Sequence, residues 1–526
     1  MQKAIQISKI RIDDIRSSQS LNKLILVLLL HVAVISVFTG FAVGYKFIIG
    51  SALVLAILTA LLLRYAEIGV FFIAIYFPFE EVILKFLPVS DQIFSNLRFG
   101  GEFLVYALFI AVVIRKLLRR QKVEGTPLDI ALLLFVGVSV VSALVNNTSL
   151  IQISLFLRAI LRYAFLFYAV ANLGLSNDYV KKLVAALIVV GLVQVAIGFA
   201  QVTIGGPVNN FLKPRTSTLP VYGTTRYNKL DDNSREQGSI YGTAGDTISL
   251  SLFLMVTLAL STSLAFFTKN SYRFWLIFAS LAFTLAIIYT YSRGTFLSVL
   301  FLLAVVLSIR RKKLLLLATV IASFIFLTLA PANTIVTANN NPGNQTKQSP
   351  IADFTQMFTN RYQTGASKAG RLYITRTASS EVLAKSAVLG FGPEYDVGWI
   401  KLLRDVYWIF ILYKIGLAGL AAFVYLFFRL GQIAWYVYNK STEQMPRIIA
   451  LSYLALLGGV SLHNFFISVS EIRTVSLYFW LFAGLLAAYW NEMSREKPEE
   501  EGKQPLSREV SIRPIEILRE RRPAKA

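Results

Sequence analysis

Mostly apolar stretches, most of them near the roughly 20 residues that cross the hydrocarbon core of a bilayer, recur almost from one end of this chain to the other. They fall near 24–43, 46–63, 66–79, 97–114, 127–145, 157–175, 180–204, 247–268, 273–291, 294–309, 314–331, 406–428, 447–466 and 472–490. In lipid every backbone polar group must be satisfied within the spanning structure, which leaves helices or a closed barrel. These runs lack the alternation of a barrel strand. The expected fold is therefore an all-α polytopic membrane protein with about fourteen transmembrane helices. The segment at 66–79 is short and runs into Pro78, Glu80 and Glu81, so it also reads as tilted or re-entrant. At 56% hydrophobic and 15% charged, the chain has too little polar surface to be dispersed in water.

The 52 Lys and Arg outnumber the 29 Asp and Glu, for a formal charge of +23. The excess sits in short loops beside apolar runs, as the positive-inside rule expects, and not on a nucleic-acid face. With the basic N-terminus (Lys3, Lys9, Arg11, Arg16, Lys23) cytoplasmic, the clusters Arg115-Lys116, Arg119-Arg120-Lys122, Lys181-Lys182, Lys269/Arg273 and Arg310-Arg311-Lys312-Lys313 all fall inside. Both termini are then cytoplasmic. The organisation reads as a cytoplasmic segment 1–23, eleven spans over 24–331 with an external loop near 205–246, a large external loop 332–405, three spans over 406–490, and a charged tail 491–526. Within the large loop a short amphipathic helix is predicted near 371–388, ended by Gly390. The first apolar run has no cleavage site behind it and reads as a retained helix.

Cysteine is absent and the two histidines are far apart. Disulfides and thiolate catalysis are excluded, and no metal-ligand cluster has workable spacing. No Walker or dinucleotide fingerprint occurs, so no cofactor is expected.

The most informative short motif is Tyr291-Ser292-Arg293-Gly294, which puts an arginine between two apolar runs joined by almost no loop. Arg293 either snorkels to the interface or offers a fixed guanidinium to an anionic headgroup, its paired donors matching phosphate oxygens. This turn is followed by the large loop, then Gly370-Arg371, Leu389-Gly390-Phe391-Gly392-Pro393 and, in the next span, Gly416-Leu417-Ala418-Gly419-Leu420. In order and position these motifs resemble the O-antigen ligase and polymerase superfamily, over roughly residues 290–430. The resemblance implies a GT-C-like, metal-independent glycosyltransferase that takes a glycan from an undecaprenyl-diphosphate carrier outside the inner membrane of a bacterium. Ligases of that superfamily carry a His-Asn pair before the span with the Gly-rich turn, where this chain has Arg404-Asp405.

A carrier diphosphate is an anionic leaving group, and arginines at the outer boundary would bind it and stabilise charge as the glycosidic bond breaks. Arg293 and Arg371 lead for that role. Arg376, five positions past Arg371, lies about 140° around a helix from it and is weaker. Arg158 and Arg162 share one helix face, either adding to the anion site or pairing with a glutamate or headgroups. The candidate bases are Asp405 and His463, the latter within Leu462-His463-Asn464. His31 reads as a packing or interhelical hydrogen-bond residue in its span. Glu394, Tyr395 and Trp399 are candidates for glycan binding, with Asp396, Tyr407, Trp408, Glu471 and Arg473 nearby. Boundary aromatics equally suit an interfacial belt.

The expected function is a polysaccharide polymerase or ligase of the cell envelope, the polymerase slightly favoured because the ligase His-Asn is missing. The alternative is a transporter or flippase for a lipid-linked oligosaccharide. The expected partners are the undecaprenyl-diphosphate-linked glycan, the lipid bilayer and other polysaccharide-assembly proteins, with no nucleic acid.

Overall fold

The computed structural model describes residues 45–89, 94, 97, 99–215, 239–269, 271–312, 366–393, 403 and 406–496. The expected spans at 24–43 and 314–331 lie outside these residues. The described residues are all helical, without a strand. They form α1 (Tyr45–Tyr76), α2 (Glu80–Lys85), α3 (Gly100–Leu118), α4 (Asp129–Val145), α5 (Leu150–Leu161), α6 (Ala164–Leu173), α7 (Asn177–Thr203), α8 (Gly206–Leu212), α9 (Thr247–Phe267), α10 (Tyr272–Tyr289), α11 (Arg293–Ile309), α12 (Ala366–Lys385), α13 (Tyr407–Lys440), α14 (Gln444–His463) and α15 (Arg473–Glu496).

Six of the helical runs are long and apolar enough to cross a membrane, seven if α5 and α6, bent by 49°, count as one span. Outward faces of the bundle carry Leu133 and Leu144 on the shorter apolar helix α4 and Phe274, Trp275 and Leu281 on the spanning helix α10, all exposed. Faces this apolar belong against lipid, so the protein is a membrane protein. The segments expected at 46–63 and 66–79 are joined in α1, broken at Tyr65. Leu55 clusters with Ala107, Ile110 and Ile114 of α3 while Glu67 pairs with Arg115, so both segments lie along α3. The helix expected near 371–388 runs from Ala366 to Lys385, and Gly390 follows it with φ of +66°.

Helix starts follow local chemistry. Ser149, Ser176 and Asp246 cap α5, α7 and α9 by accepting from the backbone N–H groups of Gln152, Tyr179 and Ser249. At the centre runs α15, buried from Val475 to Leu486 almost without interruption. It packs against α6, α9, α13 and α14. Where it crosses α6, a Cβ on Gly484 would fall 2.7 Å from Phe167 O, so only glycine permits that approach.

The bundle has two chemically distinct ends. At one, Lys116 Nζ donates to Asn172 (2.9 Å) and pairs with Glu124, which also meets Arg495. Arg429 reaches Pro127 O, and Arg310 and Arg447 both lie over Phe267. The basic clusters at 115–116 and 310–311 share this end. At the other lie Glu102, Arg162, Tyr291, Gly390, Tyr407, His463 and Arg473. Fourteen residues of helix separate Glu102 from Lys116, about 21 Å of rise, so the two ends stand within a bilayer's thickness of each other.

Candidate functional site

At the Arg293 end, α10 and α11 are joined by Thr290–Ser292. Tyr291 adopts a left-handed conformation (φ +53°), which a non-glycine residue rarely does. This tight turn brings Arg293 to the first position of α11. With seventeen residues, α11 rises about 25 Å before Arg310, so its two arginines bracket the apolar run.

His463, the last residue of α14, packs on this turn and is 2% exposed. A Cβ on Gly294 would fall 2.9 Å from its Cε1, so the close approach of ring and helix requires glycine. Its Nε2 lies 3.0 Å from Thr295 Oγ1. That hydroxyl also lies 2.8 Å from both Ser251 Oγ of α9 and Ser292 Oγ. Nδ1 has no hydrogen-bond partner among the described residues. The next residue, Asn464, accepts at its carbonyl from the Tyr407 N–H (2.8 Å), tying the start of α13 to the histidine. Its side-chain amide donates to Ser470 Oγ (3.1 Å).

A second polar cluster lies at the same end. Glu102 of α3 accepts from Arg158 Nε at 2.8 Å and from Arg162 Nη1 at 3.2 Å, and Arg473 Nη2 stands 3.7 Å away. Arg473 also pairs with Glu80 at 3.5 Å, and Arg162 donates to Glu471 O at 3.0 Å. Arg158 and Arg162 thus share one face, as their spacing requires, and of the two roles open to them it is the pairing with a glutamate that is observed. Glu102 neutralises charge that would otherwise be isolated in a low-dielectric interior.

Two chain segments dip into this half of the bundle. Residues 239–246 fold onto α7, where Gln201 Oε1 accepts from the N–H groups of Tyr241 and Gly242 (3.0 and 2.8 Å) and Gln194 Oε1 from that of Thr243 (3.0 Å). Residues 386–393 fold into a break in α13 at Ile415 and Gly416. There Phe391 and Gly392 donate to Tyr413 O and Lys414 O (3.0 and 2.9 Å), while Leu417 and Ala418 donate to Ala387 O and Val388 O (2.9 and 3.1 Å). The Leu389–Pro393 and Gly416–Leu420 motifs, far apart in sequence, are one structural unit. Beside it, Leu389 roofs an apolar groove of about 420 Å³ on the exposed face of α4, along Leu134, Gly137 and Val141.

Arg293 and His463 are therefore brought together through Gly294. Arg371 lies in the second turn of α12, which packs against α13, and Arg376 is exposed on the same helix. Asp405, Glu394, Tyr395 and Trp399 lie outside the described residues. Sequence reasoning missed Thr295 and Ser251, whose hydroxyls look ordinary in apolar helices. It also missed Glu102, Gln194 and Gln201. A signal for these existed: Glu102 is an isolated carboxylate in an apolar run, and two glutamines seven residues apart share one face of α7. No protein-family model and no curated protein matches the chain.

Proposed function

We propose that the chain is a membrane glycosyltransferase of cell-envelope polysaccharide assembly, which transfers or polymerises glycan from an undecaprenyl-diphosphate carrier. The observation that carries this reading is the seating of His463, a candidate base, on Gly294, the neighbour of Arg293, a candidate diphosphate ligand. An acceptor hydroxyl attacks the anomeric carbon, and its proton passes to His463 or Asp405. The bond from that carbon to the diphosphate breaks, and the diphosphate leaves with the electron pair, its charge met by Arg293 and Arg371. Glu394, Tyr395 and Trp399 are assigned to the glycan. The polymerase reading stays slightly ahead of the ligase reading because Arg404-Asp405 replaces the ligase His-Asn.

The finer architecture belongs to the same proposal: about fourteen spans, a GT-C-like fold and a bacterial inner membrane with both termini cytoplasmic. The sharing of one bundle end by the basic clusters supports this orientation, with the Arg293 end facing outward. A transporter or flippase is the second reading, favoured by the break in α13, since broken helices build transport sites. The backbone groups flanking the break are spent on residues 387–392, which weakens it as an ion or substrate site.

The test is substitution of each arginine by lysine, whose ammonium cannot reproduce paired planar donors. Arg293→Lys and Arg371→Lys should insert normally yet lose most glycan product. Each should also weaken binding of a polyprenyl-diphosphate analogue by roughly 1.5–3 kcal/mol, the worth of a charge-assisted contact. Normal glycan assembly with unchanged analogue affinity in both variants would refute the shared diphosphate site.

A further inference from the structure

The hydroxyls around His463 determine where its proton sits. Ser251 Oγ donates its one proton to Ile248 O at 2.9 Å. With that proton committed to Ile248 O, it has only lone pairs to offer Thr295 Oγ1, 2.8 Å away, and Thr295 donates to it. With that proton spent, Thr295 Oγ1 accepts from its two other neighbours, Ser292 Oγ at 2.8 Å and His463 Nε2 at 3.0 Å. In this arrangement Nε2 is the ring nitrogen that carries hydrogen. In a neutral imidazole the lone pair is left on Nδ1, and Nδ1 is the buried ring atom without a partner among the described residues. Thr295 lies two residues past Arg293 in α11, so one helix start carries the candidate diphosphate ligand and holds the imidazole.

We propose that Thr295 is the positioning residue that holds His463 as its Nε2–H tautomer, leaving the Nδ1 lone pair to take the acceptor's proton. The proton-accepting role rests on the transfer reading above, whereas the tautomer rests on the hydrogen-bond chain alone. Ser251 completes the device from α9 by fixing the direction in which Thr295 donates.

The chain has only two histidines, so a His31→Gln background leaves a single imidazole for nitrogen spectroscopy. The full-length protein in that background, labelled with ¹⁵N,¹³C-histidine in lipid nanodiscs, should show a protonated, pyrrole-type Nε2 and a bare, pyridine-type Nδ1 at neutral pH. Thr295→Val should mix the two tautomers and lower the glycan-transfer rate at least about tenfold, part of the roughly 10²–10⁴-fold that base catalysis contributes. Thr295→Ser, which restores the hydroxyl, should recover both the spectrum and the rate. A protonated Nδ1 with a bare Nε2, or a Thr295→Val spectrum identical to that of its parent, would overturn the proposal. A Nε2–H tautomer in a protein that transfers no glycan would sink the glycosyltransferase reading and the proton-accepting role with it. It would leave the positioning by Thr295 standing.

Discussion

Glu102 gathers the guanidinium groups of Arg158, Arg162 and Arg473 around one carboxylate while itself only 3% exposed. Buried ion pairs contribute little net stability when formed, but removing one partner leaves uncompensated charge, at a cost of about 3–5 kcal/mol. Glu102→Gln should therefore lower the thermal stability of the detergent-solubilised protein by that order, while Arg376→Gln, on the exposed face of α12, should leave it unchanged within about 0.5 kcal/mol. Equal melting temperatures for the two variants would contradict this account of the cluster. The sequence made Arg158 and Arg162 legible as a pair on one face. Their partner was not, because Glu102 lies 56 residues from Arg158 and is brought to it only by the packing of α3. His463 was legible because histidine is scarce here. Thr295 was not, since a threonine in an apolar helix ordinarily satisfies its hydroxyl on its own backbone.

At the scale of elements, the break in α13 shows how a membrane helix tolerates interruption. Gly416 has φ of +68°, and the break lies eight residues, about 12 Å of rise, from the start of the helix. Freed backbone groups at such depth need partners, and residues 387–392 supply them from another part of the chain. The contact excludes side chains on both segments of the unit: a Cβ on Gly416 would fall 2.2 Å from Val388 O, and one on Gly390 2.6 Å from Gly416 N. Gly416→Ala and Gly390→Ala should each destabilise the protein by about 1–3 kcal/mol through strained backbone alone, with more from the clash. Because both act on one contact, the double variant should lose less than the sum of the singles, as a double-mutant cycle on thermal unfolding would measure. Additive losses would mean that the two glycines serve separate structures. The glycine motifs were visible in the sequence as punctuation. That one plugs the other was not, since nothing local in either records a partner more than twenty residues away.

Over the whole molecule, the recurring apolar runs made the helical class and the membrane environment legible, because lipid permits few alternatives to a helix for an uninterrupted apolar run. Two of the basic clusters that the loop charges grouped, at 115–116 and 310–311, meet at one end of the bundle. What the runs could not convey is which helices are enclosed: α15 is buried at the centre, while the more apolar α10 turns outward. At one crossing, of α15 on α6, Gly484 permits the close approach. The central claim is that the polar end holding Arg293 and His463 transfers glycan from a polyprenyl-diphosphate carrier. It is tested most directly by glycan profiling of a strain lacking this chain, complemented with the wild type or with His463→Gln. The account predicts either single repeat units attached without polymer, if the chain polymerises, or polymer held on its carrier without attachment, if it ligates, with the wild-type chain restoring the normal pattern. Glycans identical with and without the chain would contradict it.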